Sequence, residues 1–229
     1  MARGDVGVII VGAGSSTRMG GVDKVFAPLA GIPILAHSVE TCERLECIGS
    51  IVVVVRAEAV DAAKRLAEER GWRKIAAVCA GGERRQDSVR AGLEHLPDLD
   101  WLAVHDAARP CVSEDIFERG LVAAGLSGAA VAAVAVKDTI KLVEGERVRE
   151  TLPRDALWAA QTPQVFRGEV LRRAYAQSDT DATDDATLVE GLGVSVVVFL
   201  GSYENIKVTT PEDLEIAELL LRRRQARGR

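Results

Sequence analysis

Apolar residues along the chain follow two alternating rhythms. Short runs with little polar interruption are VGVIIV (6–11), SIVVVV (50–55), KIAAVCA (74–80), WLAVHDAARP (101–110), AAVAAVAV (129–136) and SVVVFL (195–200). Between them lie longer stretches in which apolar residues recur every three or four positions among Glu and Arg. The second rhythm predicts helices over 33–46, 57–70, 85–96, about 113–124 and 169–177. Gly71 stops the second of these and Pro97 follows the third. Strands without alternation are buried on both faces, which predicts a largely parallel sheet covered by helices. A last helix opens at TPEDL, with Thr210 as N-cap, Pro211 at the first helical position and Glu212 and Asp213 in the first turn.

The rhythm changes at Lys137. The stretch from 138 to 166 holds two short β-like runs around the turn EGER, a hairpin signal that fits poorly on a parallel sheet. Residues 137–160 are therefore expected to project as a β-hairpin arm from one domain spanning 1–229. Its apolar positions, in TIKLV and ALWAA, cannot be buried by a lone hairpin. A second copy of the chain would cover them, giving a two-fold homodimer.

Composition narrows the function. The 229 residues suffice for one α/β domain, and a net charge of −5 argues against nucleic acid or a membrane surface as partner. The stretch MARGD lacks the apolar core of a signal peptide, and no apolar run reaches the ~18 residues of a membrane span. A cytoplasmic protein is expected. The cysteines, Cys42, Cys47, Cys79 and Cys111, have no C-x-x-C spacing, so ordinary reduced thiols are expected.

Candidate chemistry begins at GAGSSTRMGGVDK (12–24), directly after the first strand. It opens as G-x-G, but Thr17 stands where a dinucleotide fingerprint has its third glycine. Five glycines and Pro28 between 12 and 31 exclude an immediate long helix, and no G-K-[ST] follows as in a P-loop. Arg56 ends the second strand, where an NAD enzyme would carry an acid; an NADP oxidoreductase is the alternative this leaves open. Backbone N–H groups from Gly12 to Ser16 can instead wrap a triphosphate, with Arg18 and Lys24 supplying fixed positive charge.

Three more motifs sit at strand ends. In AGGERRQDS (80–88), adjacent glycines admit a flat ring, and Ser88 with the amides of Gly82 and Glu83 can read a base edge; a plain turn and helix cap is the structural alternative. Asp106 in VHDAARP is placed for Mg2+ or a substrate hydroxyl, or alternatively for capping a loop. His105 alternates with it and should face the other side of the sheet as a structural residue. Lys207 in NIKVTTPEDL can reach an anion, and TDDA (183–186) reads as a helix N-cap. His37 and His95 join no cluster.

In this order, GAGSSTRMG…DK, AGGERRQDSV, HDAARPCV, KDTIK, LWAAQTPQVF, TDDA and NIKVTTPEDL resemble the 2-C-methyl-D-erythritol 4-phosphate cytidylyltransferase family across nearly the whole chain. The resemblance implies a Rossmann-like fold of the nucleotide-diphospho-sugar transferase type and transfer of CMP from CTP to a polyol phosphate, with Mg2+. It implies that Arg18 and Lys24 are catalytic. Gly12, Ala13, Gly14, Ser15, Gly82, Glu83, Ser88 and Ala107 would hold the nucleotide. Asp106, Arg109, Thr139, Arg154, Thr183 and Lys207 would hold the polyol phosphate, Asp106 also lying near the metal. Arg154 would cross to the partner subunit's site. A ribitol 5-phosphate cytidylyltransferase shares these motifs, and a non-catalytic nucleotide sensor is a third possibility that intact Arg18, Lys24, Asp106 and Lys207 disfavour.

Overall fold

The computed structural model describes residues 4–14, 24–177 and 181–227. In chain order its strands are β1 (Val6–Val11), β2 (Pro28–Leu29), β3 (Ile32–Pro33), β4 (Ile48–Val55), β5 (Ile75–Ala80), β6 (Trp101–Asp106) and β7 (Ala129–Ala135). β8 (Lys141–Glu144), β9 (Arg147–Thr151), β10 (Trp158–Arg167) and β11 (Val197–Leu200) follow. The helices are α1 (Ile34–Arg44), α2 (Val60–Arg70), α3 (Arg85–Glu94), α4 (Glu114–Ser127), α5 (Gly168–Gln177), α6 (Asp185–Glu190) and α7 (Pro211–Arg227).

Seven strands form one sheet in the order β11-β7-β10-β6-β1-β4-β5. All pairings are parallel except those of β10, which runs against both β6 and β7. This is the α/β, mostly parallel, Rossmann-like sheet that the unalternated apolar runs predict. Strand alternation divides the core into two layers. Val8, Ile10 and Val53 pack on one face with α1 and α4 residues such as Leu35 and Phe117. Ile9, Val52 and Val54 pack on the other with Val89 of α3 and Leu171 of α5. A third, smaller cluster fastens α7 to the β2–β3 turn through Leu29, Val208, Ala217 and Leu221.

The ends of elements follow local chemistry. Gly71 caps α2 in the left-handed region, at φ 64°. Thr210 and Asp213 cap α7 reciprocally: the Thr210 N–H donates to Asp213 Oδ2 at 2.9 Å and the Asp213 N–H to Thr210 Oγ1 at 3.4 Å. β8 and β9 pair across a two-residue turn, with Gly145 at φ 60°. Every residue of these two strands is exposed, including Leu142, Val143 and Val148.

The arm is shorter than 137–160. Trp158, Ala159 and Ala160 pair with Ala135, Val134 and Ala133, so they belong to the central sheet and not to the hairpin. Among the described residues no helix is long and apolar enough to cross a membrane. The four cysteines are unbridged, and burial pushes each thiol up from its ordinary value.

Candidate functional site

The sheet order itself creates a crevice. From β1 the chain moves outward to β4 and β5, then returns to place β6 on the opposite side of β1. Open α/β sheets bind ligands at the carboxyl ends of strands where the order reverses in this way. A cleft lies at that point. Its floor is Gly12, Ala13 and Gly14, leaving β1; one wall is Gly82 and Glu83 after β5 with Ser88 of α3. Lys24, Arg85, Asp106 and Lys207 complete it.

Glycine sets how closely the walls approach. The Gly81 N–H donates to Val55 O at 2.8 Å, which ties the turn to β4. A Cβ on Gly81 would lie 2.4 Å from the Ala13 Cβ and 2.5 Å from Ser88 Oγ. Gly81→Ala must therefore push the first loop from α3. We expect the thermal midpoint to fall by several degrees, because overpacking of this kind costs about 1–3 kcal/mol. An unchanged midpoint would show that the clash is relieved without moving either wall.

The cleft's charges centre on Asp106. It is buried at the end of β6 and meets three cations: Lys207 Nζ at 2.9 Å, Arg85 Nε at 3.4 Å and Arg109 Nε at 3.6 Å. Burial alone would push its carboxyl up; Arg85, Lys207 and Arg109 outweigh that and hold it below the ordinary carboxylate range. Arg85 has a second anion, Asp185, whose Oδ2 lies 2.8 Å from its Nη1. Burial works against the Arg85 charge, but Asp185 and Asp106 raise its pKa and keep it cationic. Three cations against two carboxylates leave this cluster with one surplus positive charge, and Lys24 also lines the cleft. Such a site favours a polyanion.

β10 supports Asp106 from the side. Its pairing with β7 shifts between Ala160 and Gln164, and this irregularity frees Gln161 and Thr162 for other partners. The Asp106 N–H donates to Thr162 Oγ1 at 2.9 Å. Thr162 Oγ1 also lies 3.0 Å from Nδ1 of His105. His105 is fully buried against Phe117, and burial lowers its pKa to about 4. Its neutral ring can accept the threonine O–H, a structural part that matches its expected place on the other face. Asn205, also fully buried, donates through Nδ2 to Thr162 O at 2.9 Å, and its own carbonyl accepts from Arg109 Nη1 at 2.8 Å. The loop that carries Lys207 is thereby fastened to the loop that carries Arg109.

Of the residues singled out in the sequence, Gly12, Ala13, Gly14, Lys24, Gly82, Glu83, Ser88, Asp106 and Lys207 line this one cleft. Arg109 reaches it through Asp106. Ala107 is buried just behind, its N–H donating to Val11 O at 2.9 Å. Three others lie outside the cleft lining. Thr139 is exposed near the base of the hairpin. Arg154 is exposed on a short 3-10 turn beyond it, donating to Lys137 O at 2.8 Å. Thr183 is exposed just ahead of α6, which Asp184 caps by accepting from the Thr187 N–H at 3.0 Å. Ser15 and Arg18 lie outside the described residues. Sequence reading missed Arg85, Thr162, Asp185 and Asn205. For Arg85 a signal existed: it lies three, four and seven residues before Ser88, Val89 and Gly92, all on the inward stripe of α3.

A metal cage is not apparent: among the described residues no group of three or more His, Cys, Asp or Glu side chains converges. Both Asp106 oxygens already face cations, so this carboxylate is a poor direct ligand. Mg2+ fits here only as an ion carried mainly by phosphate oxygens and water, its usual manner in nucleotide sites.

Comparison with known proteins agrees with this geometry. Residues 6–223 match the family described as IspD: 2-C-methyl-D-erythritol 4-phosphate cytidylyltransferase. A protein of that name from Dehalococcoides mccartyi (strain ATCC BAA-2266 / KCTC 15142 / 195) is 49% identical over 219 residues, covering 95% of this chain and 96% of the relative. One from Alkaliphilus oremlandii (strain OhILAs) is 43% identical, covering 95% of each chain. Among solved structures, the 4-diphosphocytidyl-2C-methyl-D-erythritol synthase of Anaerococcus prevotii DSM 20548 superposes with a TM-score of 0.84 at 30% identity, over 96% of both chains. The 2-C-methyl-D-erythritol 4-phosphate cytidylyltransferase of Francisella tularensis gives 0.80 at 32% identity, over 94% of this chain and 99% of the other.

Proposed function

This chain belongs to the 2-C-methyl-D-erythritol 4-phosphate cytidylyltransferase family, and on that premise we propose that its cleft transfers CMP from CTP to 2-C-methyl-D-erythritol 4-phosphate. The products are 4-diphosphocytidyl-2-C-methyl-D-erythritol and pyrophosphate. The observation that carries the reading is the cationic cluster around Asp106 at the switch point, facing a glycine loop and Lys24. An oxidoreductase reading loses its footing with family membership.

An oxygen of the polyol phosphate attacks the α-phosphorus in line, forming the new P–O bond as the bond to pyrophosphate breaks. The nucleophile is already an anion, so the site needs no strong base. It needs charge stabilisation where the equatorial and leaving oxygens gain negative charge. Lys24, and Arg18 from the same loop, supply that charge, while N–H groups of Gly12, Ala13, Gly14 and Ser15 hold the triphosphate. Mg2+, when bound on the triphosphate, neutralises part of its charge. Ala107 backs the nucleotide, and Gly82, Glu83 and Ser88 read the cytosine edge. Asp106 accepts from a polyol hydroxyl, and Lys207 and Arg109 hold the phosphate in line. Thr139 and Arg154 come from the arm of a second subunit, with Thr183 on the polyol side. The uncovered Leu142, Val143 and Val148 support a homodimer, since a lone hairpin of this kind is marginal in water. We place the reaction in the cytoplasm.

Pyrophosphate release tests the whole reading. CTP with 2-C-methyl-D-erythritol 4-phosphate should react far faster than UTP, ATP or GTP, and faster than CTP with ribitol 5-phosphate. A site whose buried polar groups are unpaired by the wrong base discriminates strongly. Equal rates with UTP would remove the base-reading role of Gly82, Glu83 and Ser88. Faster turnover of ribitol 5-phosphate would move the substrate assignment, and no release with either polyol would leave a nucleotide-binding protein.

A further inference from the structure

Asp185 has a place in the site that neither the sequence motifs nor the reaction scheme accounts for. Its carboxylate is fully buried at the start of α6, on the far side of Arg85 from Asp106. Oδ1 accepts the Tyr175 hydroxyl at 2.5 Å, and Oδ2 lies 2.8 Å from Arg85 Nη1. Tyr175 is itself 5% exposed on α5, and burial with the Asp185 charge raises its pKa, so the phenol stays a donor. Three helices, α5, α6 and α3, are thus linked to the end of β6 by one polar chain: Tyr175, Asp185, Arg85, Asp106.

The joint that presents Asp185 is rigid. Gln164 of β10 is buried, takes the Ala186 N–H on Oε1 at 2.9 Å and donates to Asp184 Oδ2 at 2.9 Å. That clamps the first turn of α6 to the strand beside β6. A buried carboxylate costs several kcal/mol unless it is paired and hydrogen-bonded, and a purely apolar contact would stabilise the fold as well or better. The Arg85 guanidinium is, in turn, not fully used by the fold: among the described residues its buried Nη2 has no hydrogen-bond partner. Buried groups serving only stability are normally satisfied.

We propose that Asp185, supported by Tyr175, is a positioning residue: it holds the Arg85 guanidinium at one angle against Asp106, which fixes the carboxylate that accepts from a hydroxyl of the polyol phosphate. Without the Asp185 charge, Arg85 has a single carboxylate to lean on. It then turns fully toward Asp106 and competes with the polyol hydroxyl for it. Asp185 touches no substrate, and its effect passes through Arg85. This inference rests on the cytidylyl-transfer reading of the cleft.

The test is a kinetic and calorimetric comparison of wild type, Asp185→Asn, Tyr175→Phe, Arg85→Lys and the double variant Asp185→Asn/Arg85→Lys. Asp185→Asn should lower kcat/KM for 2-C-methyl-D-erythritol 4-phosphate by roughly tenfold or more, the scale of a misplaced binding group. CTP affinity should stay within about twofold, because the nucleotide loop is untouched. Tyr175→Phe, which removes one hydroxyl, should shift the same parameter in the same direction by less. In the Arg85→Lys background Asp185→Asn should add almost nothing, since neighbours acting as a unit are not additive. Wild-type kinetics in Asp185→Asn, equal losses in CTP and polyol parameters, or additive losses in the double variant would each overturn the proposal. Should Asp185→Asn fail to fold, unchanged polyol kinetics in Tyr175→Phe overturn it. Absence of pyrophosphate release by the wild-type protein, in the same assay, marks failure of the transfer reading instead.

Discussion

Lys24→Ala should lower pyrophosphate release by roughly 10²- to 10³-fold, the loss seen when one preorganised donor to a developing oxyanion is removed. Lys24 opens a 3-10 turn whose next residue, Val25, is 2% exposed and packs in the core. The Ala27 N–H donates back to Lys24 O at 3.1 Å. The backbone under the ammonium is therefore held by groups that the substitution leaves in place, and the thermal midpoint should change little. The loss should fall on kcat more than on the KM for CTP, because the charge it meets grows only as the leaving oxygen departs. Arg18→Ala should act in the same direction. Single-turnover quench assays separate this chemical step from product release. Turnover near that of the wild type in Lys24→Ala would remove it from the catalytic groups.

Mixing the Arg154→Ala and Lys24→Ala variants, at a polyol phosphate concentration where each alone turns over poorly, should restore activity. Arg154 sits beyond the exposed hairpin, donating to a main-chain carbonyl at its base and outside the lining of its own cleft. If the arm of one subunit serves the other's cleft, a hybrid dimer has one site lacking both groups and one site with both. At equal mixing and free exchange half the dimers are hybrids, so about a quarter of wild-type activity should return under two-fold symmetry. Native mass spectrometry verifies exchange. Exchange without recovery means that Arg154 works within its own chain or not at all; a chain that stays monomeric by sedimentation removes the dimer. Arg154→Ala alone should raise the KM for the polyol phosphate and spare CTP binding.

Strands β1, β4, β5, β6, β7 and β11 are visible in the sequence because each is an apolar run with a clear end. β10 is not. Gln161, Thr162, Pro163 and Gln164 interrupt its apolar residues, so its first residues, WAA, read as part of the arm. In the fold those polar groups are spent on Asp106, Asn205, Asp184 and Ala186, partners distant in sequence. The two-residue strands β2 and β3 are too short to carry any period. Site residues follow the same division. Asp106 and Gly82 are legible because they stand where strands end, and Lys207 because it stands in the motif NIKVTTPEDL just ahead of a well-marked helix. Arg85 and Asp185 look like surface charges until each is seen to be the other's partner, since ions are buried only in company.

The pairing of Trp158 with Ala135 has a consequence for how the protein can change over time. The hairpin departs from the end of β7 and returns at the start of its neighbour β10, so it is a detour whose two ends are already held together. Lengthening or shortening such a detour alters closure entropy only slowly, by about 0.6 kcal/mol per doubling. The register of β10 against β6, and with it the Thr162 contact to Asp106, is set by the sheet and not by the detour. The turn between β8 and β9 can thus lengthen or shorten without moving the reacting end of the sheet.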